Sequence, residues 1–237
     1  MGRESVRYPG ASRKCLVPME VVAMSDAVQD GPAMNALIHK AVRRDLDGFS
    51  TALRNFSDGD KVRAGVIASR FRWFDTLLTH HHEGEEEILW PVLRGNPHDT
   101  EEVGELTDEH ERIVSTLASA RAAMARLGVS AAAADAQAAQ QAIADLKAAA
   151  VEHFAHEEGE IVELCSHADP DALAAALKKM GRSVPMRESL WFLQWVADGT
   201  TPQETAFLRT LIPTPVHWIS KAVVGRDYAK QTVPLRV

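Results

Sequence analysis

With only two cysteines in 237 residues, Cys15 and Cys165 far apart, a disulfide framework is not expected and a reducing cytoplasm is the expected compartment. Aromatic residues make up 6% of the chain, and the Val/Ile/Thr/Tyr alternation that marks strands is almost missing, so a helical protein is expected. No stretch reaches the roughly 18 apolar residues of a membrane span. No basic run is long enough to follow a phosphate backbone, and the formal charge is −7, which leaves a nucleic-acid role without electrostatic support. Neither a nucleophilic triad nor a phosphate-cradling glycine loop appears, so hydrolase and kinase chemistry has nothing to build on. The opening MGRESVRYPGASRKCLVPMEVVAM has no apolar core of a secretory signal. It is expected to be a disordered leader (residues 1–30), or to follow an upstream start codon with Met19 or Met24 as the true beginning.

Alanine, leucine and glutamate recur throughout, and breakers divide residues 31–168 into four segments. Gly31-Pro32 opens the first, Ser57-Asp58-Gly59-Asp60 separates it from the second, and Gly95-Asn96-Pro97 ends the second. The third stops at Leu127-Gly128; the fourth starts after Ser130 and ends before Asp169-Pro170. Long helices joined by short loops predict an all-α, up-down-up-down four-helix bundle. Each helix carries an apolar stripe of period 3.6, and a histidine interrupts every stripe: His39, His82, His110 and His153. Glu86 and Glu157 follow two of them by four residues.

A buried carboxylate without a partner is costly when ionised and needs a raised pKa when neutral. Bound metal removes that conflict. His82 with Glu86 and His153 with Glu157 can address the same ion or adjacent ions, with His39 and His110 adding single nitrogens. Imidazole and carboxylate donors without thiolates suit iron or manganese, and two carboxylates able to bridge suggest two ions. His81 and Glu85 repeat the spacing one residue earlier, on a face with Leu77, Ile88 and Val92, so the register of this helix stays open on spacing alone.

The motifs HEGEEEILWP, DEHERI and HFAHEEGEI, with His39 ahead of Arg43-Arg44, resemble the hemerythrin-like, or HHE cation-binding, family over residues 31–166. The resemblance selects His82 over His81 and implies the ligands His39, His82, Glu86, His110, His153 and Glu157. It implies a non-haem di-iron centre bridged by carboxylates and an oxo or hydroxo group, with manganese as the alternative metal. Oxygen carriers of the family place two histidines one turn apart on the third helix, whereas Leu106 and Val114 flank His110 here. Glu83, which resembles an extra carboxylate in a eukaryotic iron-sensing relative, is the expected replacement. A carboxylate in place of an imidazole favours the ferric state, so the expected function is binding or reduction of dioxygen, hydrogen peroxide or nitric oxide rather than oxygen transport. The alternative is a non-catalytic iron, oxygen or redox sensor; whether the protein is an enzyme is left open. His80, His81 and His156 read as neighbours of the ligands or solvated groups, Glu87, Glu158 and Glu160 as hydrated faces, and His98, His167 and His217 as unrelated to the centre.

Beyond residue 168 the chain holds three of the five tryptophans. It is expected to form a short helical extension (169–237) with helices bearing Leu190, Trp191, Leu193 and Trp195, then one starting at Thr201-Pro202, then one bearing Val216, Ile219 and Val223. These helices are expected to pack on the bundle and close one end, the alternative being a docking surface for a protein partner or a membrane face.

Overall fold

The computed structural model describes residues 27–183 and 185–236, and these are all-α. Helix α1 is Ala27–Arg54. Helix α2 runs from Lys61 to Gly84 and continues through a π-helical turn, Glu85–Leu89, into Trp90–Leu93. Helix α3 is Pro97–Ser130 and α4 is Ala133–His167. Then follow α5 (Pro170–Ser183), α6 (Met186–Ala197), α7 (Pro202–Leu211) and α8 (Thr214–Thr232), with a final 3-10 turn at Val233–Leu235. No helix among the described residues is long and apolar enough to cross a membrane.

Local chemistry sets the boundaries. Asp60 caps α2 by accepting from the Arg63 amide, and Asn96 caps α3 by accepting from Asp99, with Pro97 at the first helical position. Thr201 and Glu204 form a reciprocal capping box on α7. Two breakers act differently from the sequence expectation. Gly31-Pro32 lies inside α1, because Ala27 and Val28 pack against Leu89, Trp90 and their neighbours and hold the helix on the far side of the proline. Residues 27–30, expected in the leader, are therefore helical; the rest of the leader, Cys15 included, lies outside the described residues. Gly128 does not end α3, since Ala131 terminates it in the left-handed region (φ 52°). Gly128 instead permits a close helix crossing: a Cβ there would sit 2.9 Å from the Ala68 Cβ of α2.

Helices α1 to α4 pack α1 on α2, α2 on α3, α3 on α4 and α4 on α1. Their shared core contains Val42, Leu46, Phe49, Phe71, Phe74, Leu78, Ile113, Leu117, Ile143 and Leu146. Every stripe residue expected to face inward is buried except Glu86, which is half-buried. The C-terminal helices lie along the α1/α2 flank instead of closing an end. Contacts with α1 run from Leu177 at Gly31, through Glu204 on Lys40 and Arg44 on the Trp195 and Asp198 carbonyls, to Leu235 at Gly48. That span of 17 positions corresponds to about 25 Å of helix, the full length of the seam. At its centre Trp191 stacks on Trp73, the Arg70 guanidinium lies 4.6 Å from the Trp191 ring, and Asp45 accepts from both Arg70 and the Trp195 indole. Helix α5 carries no apolar run that the sequence reading singled out. It docks against α1 and the π-helical turn, where Gly84 lets Met180 approach to 3.0 Å of a would-be Cβ.

Candidate metal centre

Five histidines and two glutamates converge at mid-bundle. His39 comes from α1, His81, His82 and Glu85 from α2, His110 from α3, and His153 and Glu157 from α4, all buried. They form two half-sites. In one, His82, His110 and His153 bring ligating atoms within 4.8 Å of one another; in the other, His39, His81 and Glu157 do the same. The carboxylates join the halves: Glu85 Oε1 lies 3.4 Å from His81 Nε2 and its Oε2 lies 3.6 Å from His110 Nε2. Glu157 Oε2 lies 3.2 Å from His39 Nε2 and 3.5 Å from His153 Nε2.

The geometry of α2 explains why adjacent histidines both reach inward. At about 100° per residue, His81 and His82 sit on either side of the direction set by Phe71, Phe74 and Leu78, and Glu85 falls between them. Glu83 falls on the opposite side, and its side chain is exposed and touches none of the centre. Glu86 is rotated past His82, where its Oε1 meets His110 Nδ1 at 2.8 Å. The π turn follows immediately, with the Trp90 amide reaching back to the Glu85 carbonyl. Pro91 can neither donate nor tolerate the ordinary i−4 carbonyl, and a widened turn relieves both problems. Of the expected ligands, the structure brings His39, His82, His110, His153 and Glu157 together and leaves Glu83 and Glu86 outside. It brings in His81 and Glu85, which share the helical direction of the α2 core stripe; that angular match was the available signal.

Hydrogen bonds at the outer ring nitrogens fix the tautomers. A carboxylate can only accept, so His39 Nδ1 donates to Glu158 (2.9 Å), His110 Nδ1 to Glu86 (2.8 Å) and His153 Nδ1 to Glu109 (3.0 Å). In the neutral rings this leaves Nε2 as a lone pair aimed at the centre, the arrangement that metal-ligating histidines take. Glu158, expected on a hydrated face, is therefore part of the site and is itself held by Arg43 at 2.8 Å. His156 donates to the other Glu109 oxygen, at 2.9 Å. Asn35 Nδ2 donates to Glu157 Oε1 at 2.9 Å, a support with no motif to mark it.

Without a cation this cluster is electrostatically strained. Burial, then repulsion among the rings, pushes His81 and His82 well below the ordinary imidazole range, and burial takes His153 down to about 4. His110 is lowered, again chiefly by burial. Burial would also lower His39, but Glu157 and Glu158 outweigh it and raise the ring. The carboxylates split: burial and the neighbouring Glu157 push Glu85 well up, whereas His39 and the other rings overcome burial and hold Glu157 far down. His82 Nε2, Glu85 Oε2 and Glu157 Oε2 are buried without a hydrogen-bond partner. The Nε2 pairs His110/His153 and His39/His81 lie 3.0 and 3.2 Å apart. Adjacent ligands of an octahedral ion with bonds of about 2.1 Å are separated by about 3.0 Å, so the residues fit a metal pair.

An all-helical bundle with a buried His/carboxylate cluster defines a metal-binding class of protein. The hemerythrin HHE cation-binding domain model matches residues 36–165, more than half of the chain, and the chain belongs to that family. Comparison with curated proteins and with solved structures finds no match.

Proposed function

We propose that the chain is a hemerythrin-like non-haem di-iron protein that binds or reduces a small oxidant: dioxygen, hydrogen peroxide or nitric oxide. In this reading four antiparallel helices in up-down-up-down order carry the centre, and the low cysteine content supports a cytoplasmic location. The ligand set we favour is His39, His81, His82, Glu85, His110, His153 and Glu157. One observation carries this reading: five buried histidines lie in two groups, three of them with Nδ1 tied to an outer carboxylate and Nε2 turned to the centre, and both buried carboxylates span the groups. The nitrogen missing from the third helix is supplied by the second of two adjacent histidines on α2, so Glu83 is not required as a replacement. Manganese is the alternative metal, and an oxo or hydroxo group is the expected third bridge.

When bound, the irons would supply the electrons for reducing the oxidant. The chain's part is to hold the rings in one tautomer through Glu86, Glu109 and Glu158, and to keep the carboxylates at the bridging position. Phe154, stacked 3.8 Å from the His39 ring, and Trp90, 5.8 Å from His110, are fully buried aromatic neighbours of the rings. Glu109 and His156 extend a hydrogen-bonded path from His153 toward the surface. Metal analysis and the optical spectrum of aerobically purified protein test the reading. A pair of irons with near-ultraviolet ferric bands is expected, lost in His81→Ala and Glu85→Ala and retained in Glu83→Ala. Full loading of both α2 variants would overturn the ligand set.

The second reading is a sensor. His81 and Glu85 share a wall with α5 and α6, and exposed Trp218 and Val223 on α8 offer a surface for a protein partner. Peroxide turnover no faster than free iron favours sensing. Unchanged amide exchange in α5 and α6 between metal-free and loaded protein argues against it.

A further inference from the structure

Between the bundle and the C-terminal helices lies a cavity of about 200 Å³ that ends on the α2 side of the metal centre. Its walls are apolar: Ile38 from α1, Leu77 from α2, Leu193 from α6, and Ile212 and Val216 beside α7 and α8. At the inner end the lining turns polar, with Asn35, His81 and Glu85; His80, 3.4 Å from Glu188, and Ser189 also line it. No lysine or arginine lines it. The metal ligands all come from α1 to α4, so ligation alone does not call for the α6 to α8 wall.

We propose that this chamber binds one small neutral organic molecule, a single aromatic ring bearing a hydroxyl group, with the ring among the aliphatic walls and the oxygen directed at Asn35, His81 and Glu85. Three observations select that class. The first is size: cavities of about 150 Å³ accept benzene, so one of about 200 Å³ accommodates a ring with one or two further heavy atoms. The second is charge, because an anion would enter a largely apolar chamber that no lysine or arginine lines and that has a glutamate at its end. The third is a polar cluster of Asn35, His81 and Glu85 at the end nearest the centre, which orients a ligand by a few placed groups while most of the remaining contact is apolar. The inference rests on the di-iron reading only in placing the ligand's oxygen beside the centre; the chamber itself exists whatever ion the centre holds.

The probe is p-cresol, titrated calorimetrically into the full-length protein in metal-free and metal-loaded forms, with toluene and octanoate as comparisons. Saturable one-to-one binding is expected, with p-cresol tighter than toluene and octanoate not bound. Ile38→Trp and Val216→Trp fill the chamber from opposite walls. Each should weaken p-cresol by about tenfold or more while metal content and helicity stay at parental values. Absence of saturation, or parental affinity in both filled variants, overturns the site. Equal affinity for toluene overturns the orientation, and preferential octanoate binding overturns the neutral class. Should both variants fail to fold, nuclear Overhauser contacts from the p-cresol methyl group to Ile212 and Val216 of the parent decide, and their absence overturns the proposal. Failure of p-cresol binding in protein that still carries its metal pair removes this inference alone.

Discussion

Replacing Asp45 with alanine tests whether the C-terminal helices are an integral part of the core. Asp45 is 3% exposed; its Oδ2 accepts from Trp195 Nε1 at 2.8 Å and from Arg70, and its Oδ1 lies 3.2 Å from Arg44 Nη2. Arg70 is fully buried on α2, and its Nε and Nη1 have no hydrogen-bond partner. The substitution therefore strands a buried guanidinium, a loss of about 3–5 kcal/mol. It also removes the acceptor of a buried indole, worth about 1–3 kcal/mol by itself. The two losses share one carboxylate and do not add, so the expected total is about 4 kcal/mol. Against a typical stability of about 5–15 kcal/mol the fold survives, with its urea midpoint sharply lowered. Arg70→Met combined with Asp45→Leu should recover part of the loss, because the fully buried guanidinium is gone while the Trp195 indole still lacks its acceptor. Urea unfolding followed by circular dichroism measures all three variants. A loss under about 1 kcal/mol in Asp45→Ala, or a double variant no more stable than the single, would refute the reasoning.

Metal-free protein should lose stability in mild acid. His153 titrates near 4 when folded and near 6.5 when unfolded, so its contribution is complete above the unfolded value and disappears as pH falls toward 4, roughly 3 kcal/mol in all. His81 and His82 act in the same direction, while the raised Glu85 and the raised His39 oppose them with one proton each. The urea midpoint at pH 5 should lie below that at pH 7.5, and an equal or higher midpoint contradicts the assignment of neutral buried rings. Gly128→Ala should destabilise by about 1 kcal/mol, since the added methyl group meets the Ala68 Cβ and the helices must separate, outweighing alanine's helix preference; calorimetric melting checks it, and a raised Tm sinks the close-crossing account. Cys165, whose thiol burial and the Glu157 charge push up to about 12, should resist iodoacetamide at pH 8 until urea unfolds the chain.

Much of this molecule was legible from one dimension. The four stripes around Val42, Phe74, Ile113 and Ile143 repeat at the helical period, and period alone brings His39, His110, His153 and Glu157 to the inner face. The α2 register was not legible from spacing, because His81/Glu85 and His82/Glu86 are equally spaced pairs. Only the direction of the whole stripe, with Phe71, Phe74 and Leu78 as reference, places Glu85 inside and Glu86 at the rim. Glu109, Glu158 and Asn35 were invisible for a different reason: each supports a residue on another helix, at separations of 44, 119 and 122 positions.

By itself the sequence determined helix content, the loops that separate the long helices and a buried His/carboxylate cluster, since hydrophobic period and capping chemistry act over a few residues. Tertiary packing decided how the seven inner groups divide into two half-sites. It also laid the tryptophan-bearing helices along α1 and α2, and so formed a cavity against His81 and Glu85. Those outcomes depend on which faces meet across helices, a relation between distant residues that no local pattern encodes.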